Sequence, residues 1–208
     1  MKKVPCGEAW ITSSEKRRND VLIAASLSPI ISTLGIISAA AMFIEDGQGP
    51  IFQQKRIGQD GNPFNLFKLR TMNSSQFVDA SYGVDDPRAT RVGKILRKLT
   101  LDEFPQAINI LKGEMSVVGP RPLLQADIDA MKSALSPSDY SDWFYAYSVG
   151  RPGWLSQFGN LSHSLEAQTE GYYTERAELD VQYLELASPE FDRQIIKEAV
   201  SVGLGLIS

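Results

Sequence analysis

VLIAASLSPIISTLGIISAAAMFI, residues 21–44, decides the architecture of this 208-residue chain. The stretch carries no charge and meets the roughly 20 apolar residues that a bilayer crossing requires. Lys2, Lys3, Lys16, Arg17 and Arg18 precede it, and Glu45 and Asp46 follow it. A cleaved leader fits poorly, because the apolar run starts too late and runs too long. A buried helix of a soluble core is the plainer alternative. Pro29 lies inside the run, directly after Ser28. Proline deletes an amide donor and crowds the preceding turn, so the helix is expected to kink there. The Ser28 hydroxyl can donate to a carbonyl that the break leaves open. Two outcomes follow. A straight span keeps the basic N-terminus inside and puts everything after Glu45 outside, by the positive-inside rule. A sharp bend at Ser28-Pro29 returns the chain to the side it came from.

The rest of the chain is ordinary in composition. Its length suits one domain with a real core. The natural division is residues 1–46, a basic segment with the membrane helix, and residues 47–208, a globular domain. A net charge of −4 argues against a nucleic-acid partner, which needs a net basic face. One cysteine, Cys6, excludes an internal disulfide and suits a reducing compartment. One cysteine and one histidine leave too few ligands for a structural zinc site. A Ser-His-Asp triad would rest on His163, which sits in a Ser-rich, loop-like stretch.

Residues 50–72 read as a hairpin: IFQQKRI and FNLFKL are β-prone, and Gly58, Asp60-Gly61 and Asn62-Pro63 supply the turn. Residues 91–99 look helical and basic. A second helix is expected from near Asp102 to Gly113, with Phe104, Ala107, Ile108 and Leu111 on its apolar face. MSVV is a short buried strand, stopped by Gly119-Pro120-Arg121-Pro122. Residues 123–135, 140–147, 174–185 and 190–202 read as helices, and Arg151-Pro152-Gly153 as a turn. The stripe Phe191, Ile195, Ala199 and Val202 is read as core before membrane contact. The expected fold is a helix-rich small α+β domain with a short β-hairpin, plus an N-terminal Pro-broken, re-entrant membrane helix.

The most informative polar stretch is RKLTLDEFPQ, residues 97–106. Asp102 and Glu103 stand together at a helix start, in one of two registers. Thr100 with Glu103 fits a capping box. Asp102 as N-cap places Pro105 in the first turn, where its missing donor does no harm. The second is preferred, since a proline penalty of about 3 kcal/mol outweighs a cap preference of about 1. Either register puts Asp102 in the positive field of a helix end near Arg97 and Lys98. That field is expected to lower its pKa and to favour phosphate binding. An ionised carboxylate beside a phosphate site is what a phosphoryl-type nucleophile needs. Mg²⁺ on carboxylate ligands, with Arg and Lys, would neutralise the repulsion. Asp102, Glu103 and a distant Asp are candidates to share one metal. The plain alternative is that Asp and Glu cap a helix, that Lys68 and Arg70 line a solvated strand, and that Arg88 and Arg91 pair with Asp85 and Asp86.

The combination of blocks resembles a known family. KRRNDVLIAASLSP, GPIFQQKRIGQDGNPFNLFKLRTM, DPRATRVGKILRKLTLDEFPQAINILKGEMSVVGPRP, RPG and ELDVQYLELAS occur in order between residues 16 and 188. They are similar to the bacterial sugar transferase family, the small monotopic polyprenyl-phosphate phosphoglycosyl transferases. The resemblance implies a re-entrant helix bent at Ser28-Pro29, membrane lipid around it, and a catalytic domain on the cytoplasmic face of the bacterial inner membrane. It implies a nucleotide-sugar donor, UDP-linked by family default, and a polyprenyl (undecaprenyl) phosphate acceptor. Asp102 would attack the β-phosphate, with Glu103 as dyad partner and Mg²⁺ ligand alongside Asp102. Lys68 and Arg97 match the family's basic site residues, and Asp180 in ELD matches its distant acidic residue. Arg121 lies in the block next to the nucleotide. Arg70 and Arg88 join the expected phosphate-binding set. One region departs. Members show PGITG-x-x-Q and then a Gly-Arg element; here Arg151-Pro152-Gly153-Trp154-Leu155-Ser156-Gln157 stands, with no arginine until Arg176. Two other readings compete: a membrane-anchored scaffold docking a partner through Trp143, Phe144, Tyr145 and Tyr147, and a metal-dependent diphosphate hydrolase. A homodimer is neither demanded nor excluded.

Overall fold

The computed structural model describes residues 6–47, 49–72, 89–98, 100–161 and 170–203. A short helix α1 (Cys6–Ile11) leads into the long α2 (Ser14–Asp46). Ser13 caps α2 by accepting from the Lys16 amide, and Gly47 closes it in the left-handed region, its N–H donating to Phe43 O. The helix bends by 50° between Ser14–Pro29 and Ile31–Glu45. Its cause is local. Pro29 cannot donate to Ala25 O, and the Ser28 hydroxyl donates to that carbonyl instead, at 2.7 Å. No single helix among the described residues is long and apolar enough to cross a membrane, whereas the two arms together are.

β1 (Ile51–Ile57) and β2 (Pro63–Leu69) pair antiparallel, from Ile51 opposite Leu69 to Ile57 opposite Pro63. The turn between them needs positive φ at Asp60 (56°) and Gly61 (73°), as the Asp-Gly pair anticipates. Then follow α3 (Arg91–Lys98), α4 (Gln106–Lys112), β3 (Ser116–Val118), α5 (Gln125–Ala134), α6 (Pro137–Ser148), β4 (Gly153–Leu155), α7 (Gln157–Leu161), α8 (Glu170–Leu186) and α9 (Pro189–Gly203). The helix-rich α+β expectation, with its hairpin and bent leading helix, is what the structure shows. β4 lies partly where a turn was expected. It pairs parallel with β3, Ser116 opposite Gly153 and Val118 opposite Leu155. A Cβ on Gly153 would collide with the Gly119 backbone, so only glycine admits this approach.

One core gathers Ala24 of α2, Ile110, Met115, Val117, Val118 and Ile195. The α9 stripe is therefore core at Ile195, with Phe191 packed beside it. A second core holds Leu123, Met131, Trp143 and Tyr147. Trp143 and Tyr147 are fully buried and stack at 5.4 Å. The Tyr147 hydroxyl donates to Ile57 O at 2.6 Å and accepts from the Leu123 amide at 3.0 Å. The aromatic run is thus mainly interior, and only Tyr145 of the four is exposed, which removes the basis for a docking surface there. A third, small core contains Met42, Leu69 and Leu96.

The basic flank of α2 is structural, and the expected face of α4 is corrected. Lys16 is buried and binds Asp192 at 2.7 Å. Arg17 donates to Ile110 O at 2.6 Å and Leu111 O at 3.1 Å, closing the end of α4. These cations fasten α2 to the domain, so its first turns belong to the folded unit. On α4 the buried side is Ala107 and Ile110, while Ile108 is 50% and Leu111 43% exposed.

Candidate active site

The dyad does not start a regular α-helix. After α3 the chain turns at Thr100, whose φ of 55° is left-handed, into a 3-10 turn Leu101–Glu103. Pro105 follows as the residue before α4, where its missing N–H is harmless. Neither register read from the sequence holds: Thr100 makes no side-chain cap bond, and the α-helix proper begins at Gln106. Proline suits the residue before a helix as well as its first turn, so propensity did not separate the choices.

The turn splits the two carboxylates. Glu103 is buried, and its Oε1 receives Lys68 Nζ at 2.8 Å and Arg121 Nη2 at 3.2 Å. Burial pushes this carboxyl up, but Lys68 and Arg121 outweigh burial and hold it at about 2. Glu103 in turn raises Arg121. Asp102 behaves oppositely. Burial raises it above the usual carboxylate range, Lys68 and Arg97 pull it back, and the Glu103 charge adds to the rise. The low pKa expected for Asp102 therefore belongs to its neighbour, because at Asp102 desolvation outweighs the pull of Lys68 and Arg97. No side-chain hydrogen bond or ion pair from another described residue closes on the Asp102 carboxylate.

The other candidates divide. Lys68 on β2, Arg97 in the last turn of α3, and Arg121 after β3 surround the dyad. Arg70 does not join them. It is buried, and its guanidinium donates to Gly49 O at 2.8 Å and Met72 O at 3.1 Å, bracing the α2–β1 connection. Arg88, with Asp85, Asp86 and His163, lies outside the described residues. Asp180 does not join the dyad carboxylates. It is 3% exposed, accepts from Trp143 Nε1 at 3.0 Å and faces Arg176 Nε at 3.9 Å. Burial raises its pKa against the pull of Arg176 and the Trp143 hydrogen bond.

Arg176 was missed as a site residue. Its Nη2 donates to Arg121 O at 3.1 Å, and its guanidinium lies 4.8 Å from the Phe158 ring centroid. Arg176 therefore holds the backbone of the residue whose side chain holds Glu103. The i, i+4 spacing of Arg176 and Asp180 on one helix was a usable signal. The divergent 151–157 segment also reaches the site: Trp154 on β4 packs edge-to-face on Phe104, ring centroids 6.1 Å apart.

Among the described residues no group of three His, Cys, Asp or Glu side chains is placed to hold a metal. Two adjacent carboxylates, one of them without a side-chain partner among the described residues, suit a cation that takes only one or two protein carboxylates and completes its shell with water and substrate phosphates. That is the habit of Mg²⁺. The donor set fits such an ion, which Asp102 and Glu103 would hold.

The chain is similar to known proteins over most of its length. The family described as "Bacterial sugar transferase" matches residues 11–205. A UDP-glucose:undecaprenyl-phosphate glucose-1-phosphate transferase of Caulobacter vibrioides is 37% identical over 191 residues, 89% of this chain and 68% of that protein. The UDP-N-acetylgalactosamine-undecaprenyl-phosphate N-acetylgalactosaminephosphotransferase of Aeromonas hydrophila is 35% identical over 158 residues, 74% of this chain. The matched part is 36% of that longer relative. Exopolysaccharide production protein ExoY of Rhizobium meliloti is 33% identical over 187 residues, 82% of this chain and 76% of its own length.

Proposed function

This chain belongs to the bacterial sugar transferase family, and we propose that it moves a sugar 1-phosphate from a UDP-sugar to undecaprenyl phosphate through a covalent bond to Asp102. As a phosphoglycosyl transferase it is an enzyme, not a scaffold alone. The names of the relatives support a UDP-linked donor and an undecaprenyl acceptor. The observation that carries the assignment of the nucleophile is the asymmetry of the dyad. Glu103 is pinned by Lys68 and Arg121, whereas the Asp102 carboxylate lies among cations and, among the described residues, no side chain closes on it.

In the first step an Asp102 oxygen attacks the phosphorus that bears the sugar. A P–O bond to Asp102 forms, the bond to the bridging oxygen breaks, and nucleoside monophosphate leaves with that oxygen. Lys68 and Arg97 offset the repulsion between carboxylate and diphosphate. The charge neutralisation that Mg²⁺ supplies when bound at Asp102 and Glu103 is of the same kind. In the second step a phosphate oxygen of the lipid attacks the same phosphorus, and Asp102 departs as a carboxylate. The product is a polyprenyl diphosphate sugar. Glu103 keeps Lys68 and Arg121 in place through both steps.

The same reading puts the domain on the cytoplasmic face, with α2 re-entering the membrane. Both ends of α2 bind one domain: Lys16 pairs with Asp192 near the start, and near its end Met42 packs with Leu69 and Leu96. Leu22, Ile36, Ile37, Phe43 and Ile44 of α2 are exposed apolar residues suited to lipid.

Incubation with a UDP-sugar and Mg²⁺, without lipid, is expected to add the mass of one phosphosugar to the peptide that contains Asp102. Adding undecaprenyl phosphate should remove it. Release of nucleoside monophosphate with no adduct, and a free sugar phosphate as the end product, would mark a hydrolase instead.

A further inference from the structure

Glu45, near the end of α2, makes contacts with the start of α3. Its Oε1 accepts from the Arg91 amide at 2.8 Å and its Oε2 from the Val92 amide at 3.1 Å. These are the first two amides of α3, groups that no helix satisfies internally. A carboxylate there also sits at the positive end of the α3 dipole. The third amide, Gly93, donates to Thr90 Oγ1 at 2.9 Å. α3 is thus capped jointly by Thr90 and by a residue 46 positions earlier, on the far arm of α2.

A second observation concerns the small core beside this cap. Met42 from the same arm is buried with Leu69 and Leu96, and Val92 and Leu101 pack against them. Three residues of the site are chained to members of that core. Lys68 precedes Leu69, Arg97 follows Leu96, and Asp102 follows Leu101. Gly93 presses on the Thr71 backbone so closely that a Cβ would collide, and Thr90 N donates to Thr71 O at 3.0 Å. α3 therefore has little room to settle elsewhere on the β2 side. On the α2 side it is held by Glu45.

We propose that Glu45 is a positioning residue for the transfer: it ties the outgoing arm of the bent helix to α3, so that the seating of this arm sets Arg97 against Asp102. The inference rests on Asp102 being the reacting group. Glu45 touches no substrate and acts through α3. Loss of the tie lets the α3 end that carries Arg97 drift, and displacements of about 1 Å at such distances cost up to ~100-fold in rate.

The test uses the full chain in lipid nanodiscs that carry undecaprenyl phosphate, with a UDP-sugar that wild type accepts, read as steady-state nucleoside monophosphate release. Glu45→Gln keeps the shape but turns an amide donor toward a backbone N–H. It is expected to lower kcat by ~10-fold, to leave the donor KM within twofold, and to move Tm by no more than about 3 °C. Glu45→Asp, which keeps both acceptors, should recover most of the rate. In a cycle with Arg97→Ala, the Glu45→Gln loss should vanish, because its route runs through Arg97. Wild-type kcat in Glu45→Gln, or a loss that adds in full to that of Arg97→Ala, would overturn the proposal. Should wild type release nucleoside monophosphate without an Asp102 adduct, the covalent reading fails while the cycle still decides the role of Glu45.

Discussion

At Glu103 two cations reach one carboxylate oxygen, Lys68 at 2.8 Å and Arg121 at 3.2 Å. They hold this group at about 2, against an ordinary 4.5, despite its burial. A depression of that size corresponds to stability on the order of 3 kcal/mol. It is present in full above pH 4.5 and is lost as pH falls toward 2. Asp102, one residue away, has the opposite sign: burial raises its pKa, so its ionised form works against the fold at neutral pH. The same two residues should then separate stability from activity. Asp102→Asn is expected to abolish monophosphate release by orders of magnitude while raising Tm, since it removes an incompletely compensated buried charge. Glu103→Gln should lower stability by about 3 kcal/mol, because it leaves Lys68 and Arg121 without their partner, and should flatten the acid side of the stability curve. Thermal scans of both variants from about pH 2 to 8, beside release assays, check the pair. A fall in Tm for Asp102→Asn would mean that its charge is better compensated than the geometry indicates.

Among the elements, α8 makes the most testable demand. Its Arg176 and Asp180 form a buried pair at 3.9 Å, and Arg176 also holds Arg121 O. Removing one member of a buried pair strands the other, so Arg176→Met, which leaves the Asp180 carboxylate buried without its cation, should destabilise by roughly 3–5 kcal/mol. Replacing both, Arg176→Met with Asp180→Leu, should restore much of that stability. It should not restore activity, because Arg121 still lacks the donor that fixes its backbone. Denaturant curves and release rates on the single and double variants separate packing from positioning; recovery of both together would make the pair purely structural. What the sequence disclosed at this scale follows from signal length. The hairpin was readable because seven-residue alternation and an Asp-Gly turn agree. The bend was readable because Pro29 has one local consequence. β4 was not, since three residues paired with a distant strand carry no periodicity. The exposed Ile108 and Leu111 were misassigned because an apolar stripe reports avoidance of water and not whether protein or lipid covers it. The Asp102-Glu103 pair was visible as a pattern. Its division into a pinned and an open carboxylate was not, because Lys68 and Arg121 arrive from β2 and from beyond β3.

For the whole molecule the decisive geometry is that of α2. Its 33 residues would extend about 50 Å if straight, against a bilayer core of about 30 Å. Length alone therefore permits a crossing. The docking of both ends opposes it. Near the N-terminus, Lys16 binds Asp192 of α9 and Arg17 closes α4; near the C-terminus, Glu45 caps α3 and Met42 shares a core with β2. α3, α4, α9 and the hairpin are parts of one folded domain, and a domain occupies one side of a bilayer. A crossing would have to break one of these anchorages, and the buried Lys16–Asp192 pair is the costlier to lose. The topology is testable with single cysteines in a chain whose native Cys6 is replaced by serine. Glu15→Cys lies before the apolar run and Asp60→Cys at the tip of the hairpin, and both positions are exposed. In intact spheroplasts a membrane-impermeant thiol reagent is expected to label neither, and after permeabilisation both. Labelling of Asp60→Cys alone from outside would establish a straight span. It would also part the dyad from cytoplasmic nucleotide sugars, so the transfer chemistry assigned to Asp102 would lose its donor along with the bend.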